Sequence, residues 1–337
     1  MPLPKHILII RLSAMGDVAM TVPIVRAFTE QHPEVKVTIL TRAFFEPFFR
    51  DLTNVSVFKA DVKGEHKGVF GLWKLSRALK QLEIDAIADF HNVLRSNILR
   101  RFMNLPFYQI DKGRDEKKAL VSGKQFKQLK STHLRYADVL ESIGYTVDLS
   151  SPSFPDPIVL DETLQGYIPK DQPTIGIAPF ATYESKMYPL NHMKQVIEEL
   201  SQSFSIILFG GGETEIEELD NIAKTFENVV SVAGKLTLNE ELDLISNVNL
   251  MLSMDSGNAH IAAMLGTKTV TIWGVTHPFA GFAPFNQPKD YCLLSDREQY
   301  PLIPTSVYGN KYPEGYQKAA ASISVDSIVE KVKSLVS

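Results

Sequence analysis

Short β-branched apolar runs alternate along this chain with stretches whose apolar residues recur at helical spacing. His6-Ile7-Leu8-Ile9-Ile10 gives way to the small residues around Ser13, Ala14 and Gly16, then to Val22, Val25, Ala27 and Phe28. That pattern predicts a strand, a tight turn and a helix. Residues 35–40, 55–58 and 84–90 predict further strands, and Leu72, Leu75, Leu79 and Leu82 predict the helix between the last two. A looser stretch over 148–173, with Pro152, Pro155, Pro157, Pro169 and Pro173, reads as a linker. The alternation then resumes with strands expected at 174–178, 205–209, 229–233, 249–254 and, as the last, 268–273. Ile328, Val329, Val332, Leu335 and Val336 predict a closing helix.

Two β-α-β series of this kind predict an α/β protein built from two doubly wound Rossmann-like domains facing a central cleft. The expected boundaries are 1–160 and 173–320. A helix over 321–337 follows, with packing back on the N-terminal domain as one option.

At 337 residues and 44% hydrophobic content the chain is long enough for two cores. Its formal charge of −4 argues against a general nucleic-acid binder. The single cysteine, Cys292, cannot form an internal disulfide and gives no metal cluster. Only Ile7–Ile10 precede Arg11 as an apolar run, too few for a signal peptide, and no stretch approaches the roughly 18 apolar residues of a membrane span. A soluble, cytoplasmic protein is expected.

Charge is unevenly spread. Between His91 and Arg135 eleven Lys or Arg, among them Arg95, Lys112 and Arg114, stand against three acids. This net of +8 suits a phosphorylated substrate or an anionic membrane surface, or it is simply a solvated loop. The run Phe44-Phe45-Glu46-Pro47-Phe48-Phe49 offers a membrane-touching helix or, by default, core.

Candidate chemistry lies at strand ends, where open α/β sheets bind ligands. Asp17, in the first such turn, is placed to take a proton from an attacking hydroxyl, with Ser13 and the Gly16 backbone positioning the substrate. A helix N-terminus lowers the pKa of a carboxylate and burial raises it, so the two influences compete there. In the second half Ser253-Met254-Asp255-Ser256-Gly257-Asn258 is a strand end followed by a helix start, whose amides make a diphosphate site. Asp255 then accepts from sugar hydroxyls, unless it or Ser256 merely caps the helix. His260, one turn in, reads as an orienting or packed histidine. Lys186, in the turn that also holds Thr182, offers a mobile cation for a leaving diphosphate in place of a metal ion. No Asp-x-Asp, His-x-x-x-His or Cys cluster is present, so a mechanism without metal or cofactor is expected.

Taken together, Ser13-Ala14-Met15-Gly16-Asp17, Asp85-Ala86-Ile87-Ala88-Asp89, Thr182, Lys186-Met187-Tyr188-Pro189, Met254-Asp255-Ser256-Gly257-Asn258-Ala259-His260 and Trp273-Gly274-Val275-Thr276-His277-Pro278 resemble the heptosyltransferases of lipopolysaccharide core assembly, glycosyltransferase family 9. The resemblance implies the GT-B fold, with an N-terminal acceptor-binding and a C-terminal donor-binding domain. It also implies inverting transfer of a heptose, or a related sugar, from ADP-heptose or another nucleotide sugar to a phosphorylated, lipid-linked inner-core acceptor. The protein would be peripheral at the inner face of the cytoplasmic membrane. Asp17 would be the general base. Thr182, Lys186, Asp255, Ser256, Gly257, Asn258 and His260 would bind the donor, and Ser13, Gly16, Arg95, Lys112 and Arg114 the acceptor. Ala181 and His277 depart from the family pattern, which has a hydroxyl residue and an acid there. Residues 296–316 have no assigned role. The alternatives are a nucleotide-sugar epimerase or hydrolase and a non-catalytic nucleotide-sugar binder. A dinucleotide oxidoreductase is disfavoured by the missing Gly-x-Gly-x-x-Gly.

Overall fold

A computed structural model describes residues 2–169 and 171–336. It contains two compact units. One runs to Lys112 and resumes over Ser131–Ser153; the other comprises Gly113–Lys130 and the chain from Phe154 onward.

The first unit opens with β1 (His6–Ile10), α1 (Met15–Ala19) and α2 (Val22–Gln31), followed by β2 (Lys36–Thr41) and β3 (Val55–Lys59). It continues with α3 (Gly68–Leu79), β4 (Ala86–Asp89), α4 (Leu94–Met103) and β5 (Phe107–Gln109). The chain then gives α5 (Arg114–Val121) to the second unit and returns with α6 (Thr132–Ile143). All five strands are parallel in the order β3-β2-β1-β4-β5. The order in which the chain adds strands reverses between β1 and β4, so the carboxyl ends of those two strands are the switch point where such sheets open a crevice. Period-2 alternation assigns the faces. Leu8 and Ile10 pack with Leu72, Leu75, Leu79, Leu99 and Met103, leaving the equally buried Ile7 and Ile9 to the opposite face.

The second unit follows the same scheme with α7 (Glu162–Gln165), β6 (Thr174–Ala178), α8 (Leu190–Ser201), β7 (Ser205–Leu208), α9 (Glu213–Ala223) and β8 (Val229–Ser231). Then come α10 (Leu238–Asn247), β9 (Leu250–Met254), α11 (Gly257–Met264), β10 (Thr269–Trp273), β11 (Cys292–Leu294) and α12 (Val325–Val336). Its six parallel strands run β11-β10-β9-β6-β7-β8. Here the switch point falls at the carboxyl ends of β6 and β9.

Several expectations need correction. The strand at β10 is not the last, because β11 pairs with it along Thr271↔Cys292. The closing helix, for which packing back on the N-terminal domain was one option, belongs to the second unit. Its stripe Ile328, Val329, Val332 is buried with Met193, Val196 and Leu250. The first unit is not continuous over 1–160. Leu120 and Leu129 are buried against Ala280, and Leu129 N donates to Phe279 O at 2.9 Å, which ties part of the basic stretch to the second unit. Of the four clustered phenylalanines, Phe45, Phe48 and Phe49 are core and Phe44 is exposed. Among the described residues no helix is long and apolar enough to cross a membrane.

Candidate functional site

In the first unit the site residues gather at the β1/β4 switch point. Arg11 follows directly on β1, and its side chain is buried. Its guanidinium forks: Nη1 donates to Phe90 O at 2.8 Å and Nη2 lies 2.6 Å from Asp17 Oδ2. Two fixed donors match this demand, as a planar guanidinium can and an ammonium cannot. Asp17 stands in the first turn of α1, its carboxylate about a third exposed, and Oδ2 also accepts from Ala14 N at 3.4 Å. Tyr136 donates its hydroxyl to Asp17 O at 3.4 Å and stacks on Phe90 with ring centroids 4.5 Å apart. Burial raises the Tyr136 phenol, so it stays a donor.

After β4, the fully buried Asp89 accepts from His91 N, Asn92 N and Gln109 Nε2, at 3.0, 3.0 and 2.9 Å. It therefore shapes the turn that presents His91. Asp85, just before β4, instead holds the start of β1, accepting from Lys5 N and His6 N. The His91 ring accepts from Leu12 N through Nδ1 at 3.4 Å. Burial, then Arg11 and Lys112, push it down to about 3, so it is neutral. Arg95, in the first turn of α4, acts on the same ring in the same sense. Arg95, Lys112, Arg11 and Asp17 thus share one electrostatic neighbourhood. Ser13 and Gly16 lie on the same turn as Asp17. Arg114 belongs to the other unit, exposed on α5.

In the second unit the switch point brings together residues from three strand ends. Lys186 closes the 3-10 turn Glu184–Lys186 after β6, and its Nζ is 2.8 Å from Oδ2 of the buried Asp255, after β9. Thr276, after β10, donates Oγ1 to the same oxygen at 2.8 Å. The three side chains lock one carboxylate oxygen in place. Asp255 was expected to accept from sugar hydroxyls or to cap the helix, and its Oδ2 is held by Lys186 and Thr276. Ser256 does not cap α11, since its hydroxyl pairs with Ser253 Oγ at 3.1 Å. The first turn of α11, with Gly257 and Asn258, therefore has no side-chain cap on its amides. His260 is buried on α11, and Thr182 is exposed in the loop after β6.

Residues 296–316 hold Lys186 from behind. Ser185 Oγ donates to Gly309 O at 2.5 Å, and Ser185 O accepts from Val275 N at 3.1 Å. Gly309 has φ +83°, and a Cβ there would come 2.6 Å from Lys186 Cγ. At Gly274 a Cβ would meet Ser185 O at 2.1 Å. His277, at the position where an acid was expected, is buried. Its Nδ1 accepts from Phe279 N at 3.1 Å, and Phe126, from the chain segment after α5, lies edge-on with ring centroids 5.0 Å apart. Arg297 lies 3.5 Å over the Phe126 ring. Burial, with Arg297 adding to it, pushes His277 down to about 4.

Arg11, Thr276 and Gly309 were not singled out in the sequence. A lone Arg at the end of an apolar strand was a usable signal for Arg11, and Thr276 stood in an already recognised turn. Nothing local marked Gly309.

A model of glycosyltransferase family 9 (heptosyltransferase) matches residues 72–308. The chain belongs to this family. As a family 9 member it is a glycosyltransferase. It is 27% identical over 293 residues to the lipopolysaccharide core heptosyltransferase OpsX of Haemophilus influenzae, covering 84% of this chain and 82% of that one. Its fold is that of the glycosyl transferase family 9 protein of Veillonella parvula, with TM-score 0.78 at 18% identity, covering 100% of this chain and 98% of that one. The E. coli heptosyltransferase WaaC with ADP superposes with TM-score 0.70 at 18% identity, over 98% and 99% of the two chains. Two parallel doubly wound sheets of this kind make the fold GT-B type.

Proposed function

We propose that this glycosyltransferase moves a heptose, or a related sugar, from ADP-heptose or another nucleotide sugar to a lipopolysaccharide inner-core acceptor, with inversion and without a metal ion. The observation that carries the reading is the pair of held carboxylates: Asp17 fixed by Arg11 in one unit, and Asp255 fixed by Lys186 and Thr276 in the other. The name of the Haemophilus relative and the ADP in the E. coli structure support the acceptor and donor classes.

In this reading Asp17 takes the proton of the acceptor hydroxyl as its oxygen bonds to the anomeric carbon. The carbon–oxygen bond to the diphosphate breaks with its electron pair, which leaves on the nucleotide. An ammonium has three donors, so Lys186 can hold Asp255 and also offset the charge of the leaving diphosphate. Amides of Ser256, Gly257 and Asn258 hold the diphosphate. Thr182 and His260 complete the donor site, and Ser13, Gly16, Arg95 and Lys112 the acceptor site. Arg114, on the second unit, is the least supported acceptor contact. The acceptor is lipid-linked and phosphorylated, which places the enzyme at the inner face of the cytoplasmic membrane as a peripheral protein.

Asp17→Ala tests the assignment. The variant should keep the thermal stabilisation given by ADP-sugars and lose turnover by about 10²-fold or more. Unchanged turnover would falsify the role of Asp17. Absence of stabilisation by any of the ADP-, GDP-, UDP- and CDP-sugars removes the donor site, and sugar product formed without acceptor points to an epimerase or hydrolase.

A further inference from the structure

The outer face of α3 is unlike the rest of the first unit's surface. Its inner face, Leu72, Leu75, Ser76 and Leu79, is buried, as an amphipathic helix on a sheet requires. On the opposite face Val69, Phe70 and Trp73 are 60%, 67% and 43% exposed. The Phe70 and Trp73 rings stack with centroids 5.5 Å apart. Lys74 Nζ lies 5.5 Å from the Phe70 ring, and the Arg77 guanidinium lies 5.8 Å from that of Trp73. Lys63, Lys67 and Lys80, all exposed, extend the basic surround. Two acids share this stretch, Asp61 and Glu65, and the Asp61 carboxylate is turned into the loop, accepting from Gly64 N and Glu65 N.

Single exposed apolar residues are ordinary on a protein surface. Their concentration here is not. Among the described residues the unit has seven exposed large apolar side chains, Leu3, Phe44, Val69, Phe70, Trp73, Leu94 and Leu134. Five of them follow β2, β3 or β4 directly in the fold: Phe44 after β2, Val69, Phe70 and Trp73 in the first half of α3, and Leu94 at the start of α4. The strands are parallel, so these positions lie along the carboxyl edge of the sheet, the edge that carries Asp17 and Arg95.

We propose that α3 docks this unit on an anionic phospholipid surface, with Phe70 and Trp73 entering the headgroup region and Lys63, Lys67, Lys74, Arg77 and Lys80 pairing with lipid phosphates. An aromatic group ringed by cations on an amphipathic helix is the chemistry such a surface binds, and the acidic lipid supplies the charge complement. Docking at this edge brings the Asp17 turn toward the layer in which a lipid-linked acceptor lies. That last step rests on the proposed acceptor; the docking itself does not. The surface differs from the +8 stretch, part of which is folded into the second unit.

The test uses the full chain and vesicles of phosphatidylglycerol and phosphatidylcholine, with neither donor nor acceptor present. The chain holds two tryptophans, and Trp273 is buried, so a change in emission on adding vesicles reports Trp73. We expect co-sedimentation and a blue shift with phosphatidylglycerol vesicles at low salt, both weakened at high salt, and neither with pure phosphatidylcholine. Phe70→Ser with Trp73→Ser should weaken binding about tenfold or more. Lys74→Glu with Arg77→Glu should weaken it about 25-fold or more, at about fivefold per cation. All four side chains are exposed, and unchanged far-UV spectra confirm that the variants fold. The proposal is overturned by no vesicle binding at low salt, by binding that both double variants retain in full, or by a concentration-dependent dimer that the aromatic double variant abolishes in place of vesicle binding. Transfer to a detergent-solubilised acceptor that persists while vesicle binding fails overturns the docking alone.

Discussion

Arg11 Nη2 stands 2.6 Å from Asp17 Oδ2, while the other terminal nitrogen of the same guanidinium donates to Phe90 O. One buried side chain thus ties the first-turn carboxylate to the end of β4, and the fork fixes the direction in which the free carboxylate edge points. Arg11→Lys keeps the charge and loses the fork. We expect it to lower turnover about tenfold or more with nucleotide-sugar stabilisation unchanged. Arg11→Ala should in addition cost about 2 kcal/mol, less than the roughly 3–5 kcal/mol for breaking a fully buried pair because Asp17 is partly solvated. Turnover and urea unfolding of both variants decide this, and full activity in Arg11→Lys would show that the fork has no positioning role.

Asp255 is the most constrained carboxylate of the second unit's site, buried and with one oxygen shared by Lys186 and Thr276. Thr276→Val is close to isosteric and removes one donor, which should cost about 1–2 kcal/mol of stability. Lys186→Met should raise the apparent KM for donor at least about tenfold and destabilise by about 3 kcal/mol, because it strips the countercharge from a buried carboxylate. Adding Asp255→Asn should recover part of that stability while donor affinity stays low. Additive effects in the double-mutant cycle would mean that the ion pair carries no coupling.

Much of this organisation was readable from periodicity. β1, β2, β3 and β4 lie within a residue or two of their expected places because each is a fully or half-buried run with its own turn residues. β5 and β11 are three residues long with no fully buried position, too short for a period to be read. Asp17, Lys186 and Asp255 were legible as polar residues at strand ends. Thr276 was not, because it meets Asp255 by tertiary approach of two different strand ends, whereas Arg11 and Asp17 lie six residues apart in the one connection after β1. The same holds for Gly113–Lys130, whose basic composition conceals the apolar pair Leu120 and Leu129 that seats it against Ala280.

Gly309 bears on Lys186 through shape alone. It sits at φ +83° with its Cα against the lysine stem, and the 2.6 Å approach of an added Cβ to Cγ leaves the flexible side chain as the part that must move. Gly309→Ala should therefore cost about 1 kcal/mol from the backbone conformation. It should also raise the KM for donor severalfold by displacing Nζ from Asp255. Gly315→Ala, at φ +84° with open space around it, is the control: similar backbone strain, unchanged KM. Equal effects on KM at both positions would remove the role given to the 296–316 segment.

His91 and His277 make the stability pH-dependent in a defined sense. Each is neutral in the folded protein and accepts a backbone N–H through Nδ1, from Leu12 and Phe279 respectively. Protonation would abolish those bonds. Burial, with Arg11 and Lys112, sets His91 to about 3, and burial, with Arg297, sets His277 to about 4, against 6.5 for an ordinary imidazole. As pH falls below about 6.5 the unfolded chain takes up protons that the folded chain refuses. Stability is then lost progressively until the native values are reached, and below them the loss levels off. Glu241 opposes this, since burial raises it to about 7 and its contribution falls as pH rises from about 4.5 to 7. The histidine contribution is therefore read as a difference. Urea unfolding of the parent and of His277→Asn should show a parent advantage that is largest at pH 7 and shrinks by on the order of 3 kcal/mol by pH 4. An advantage that stays constant across that range would mean that His277 is not held neutral.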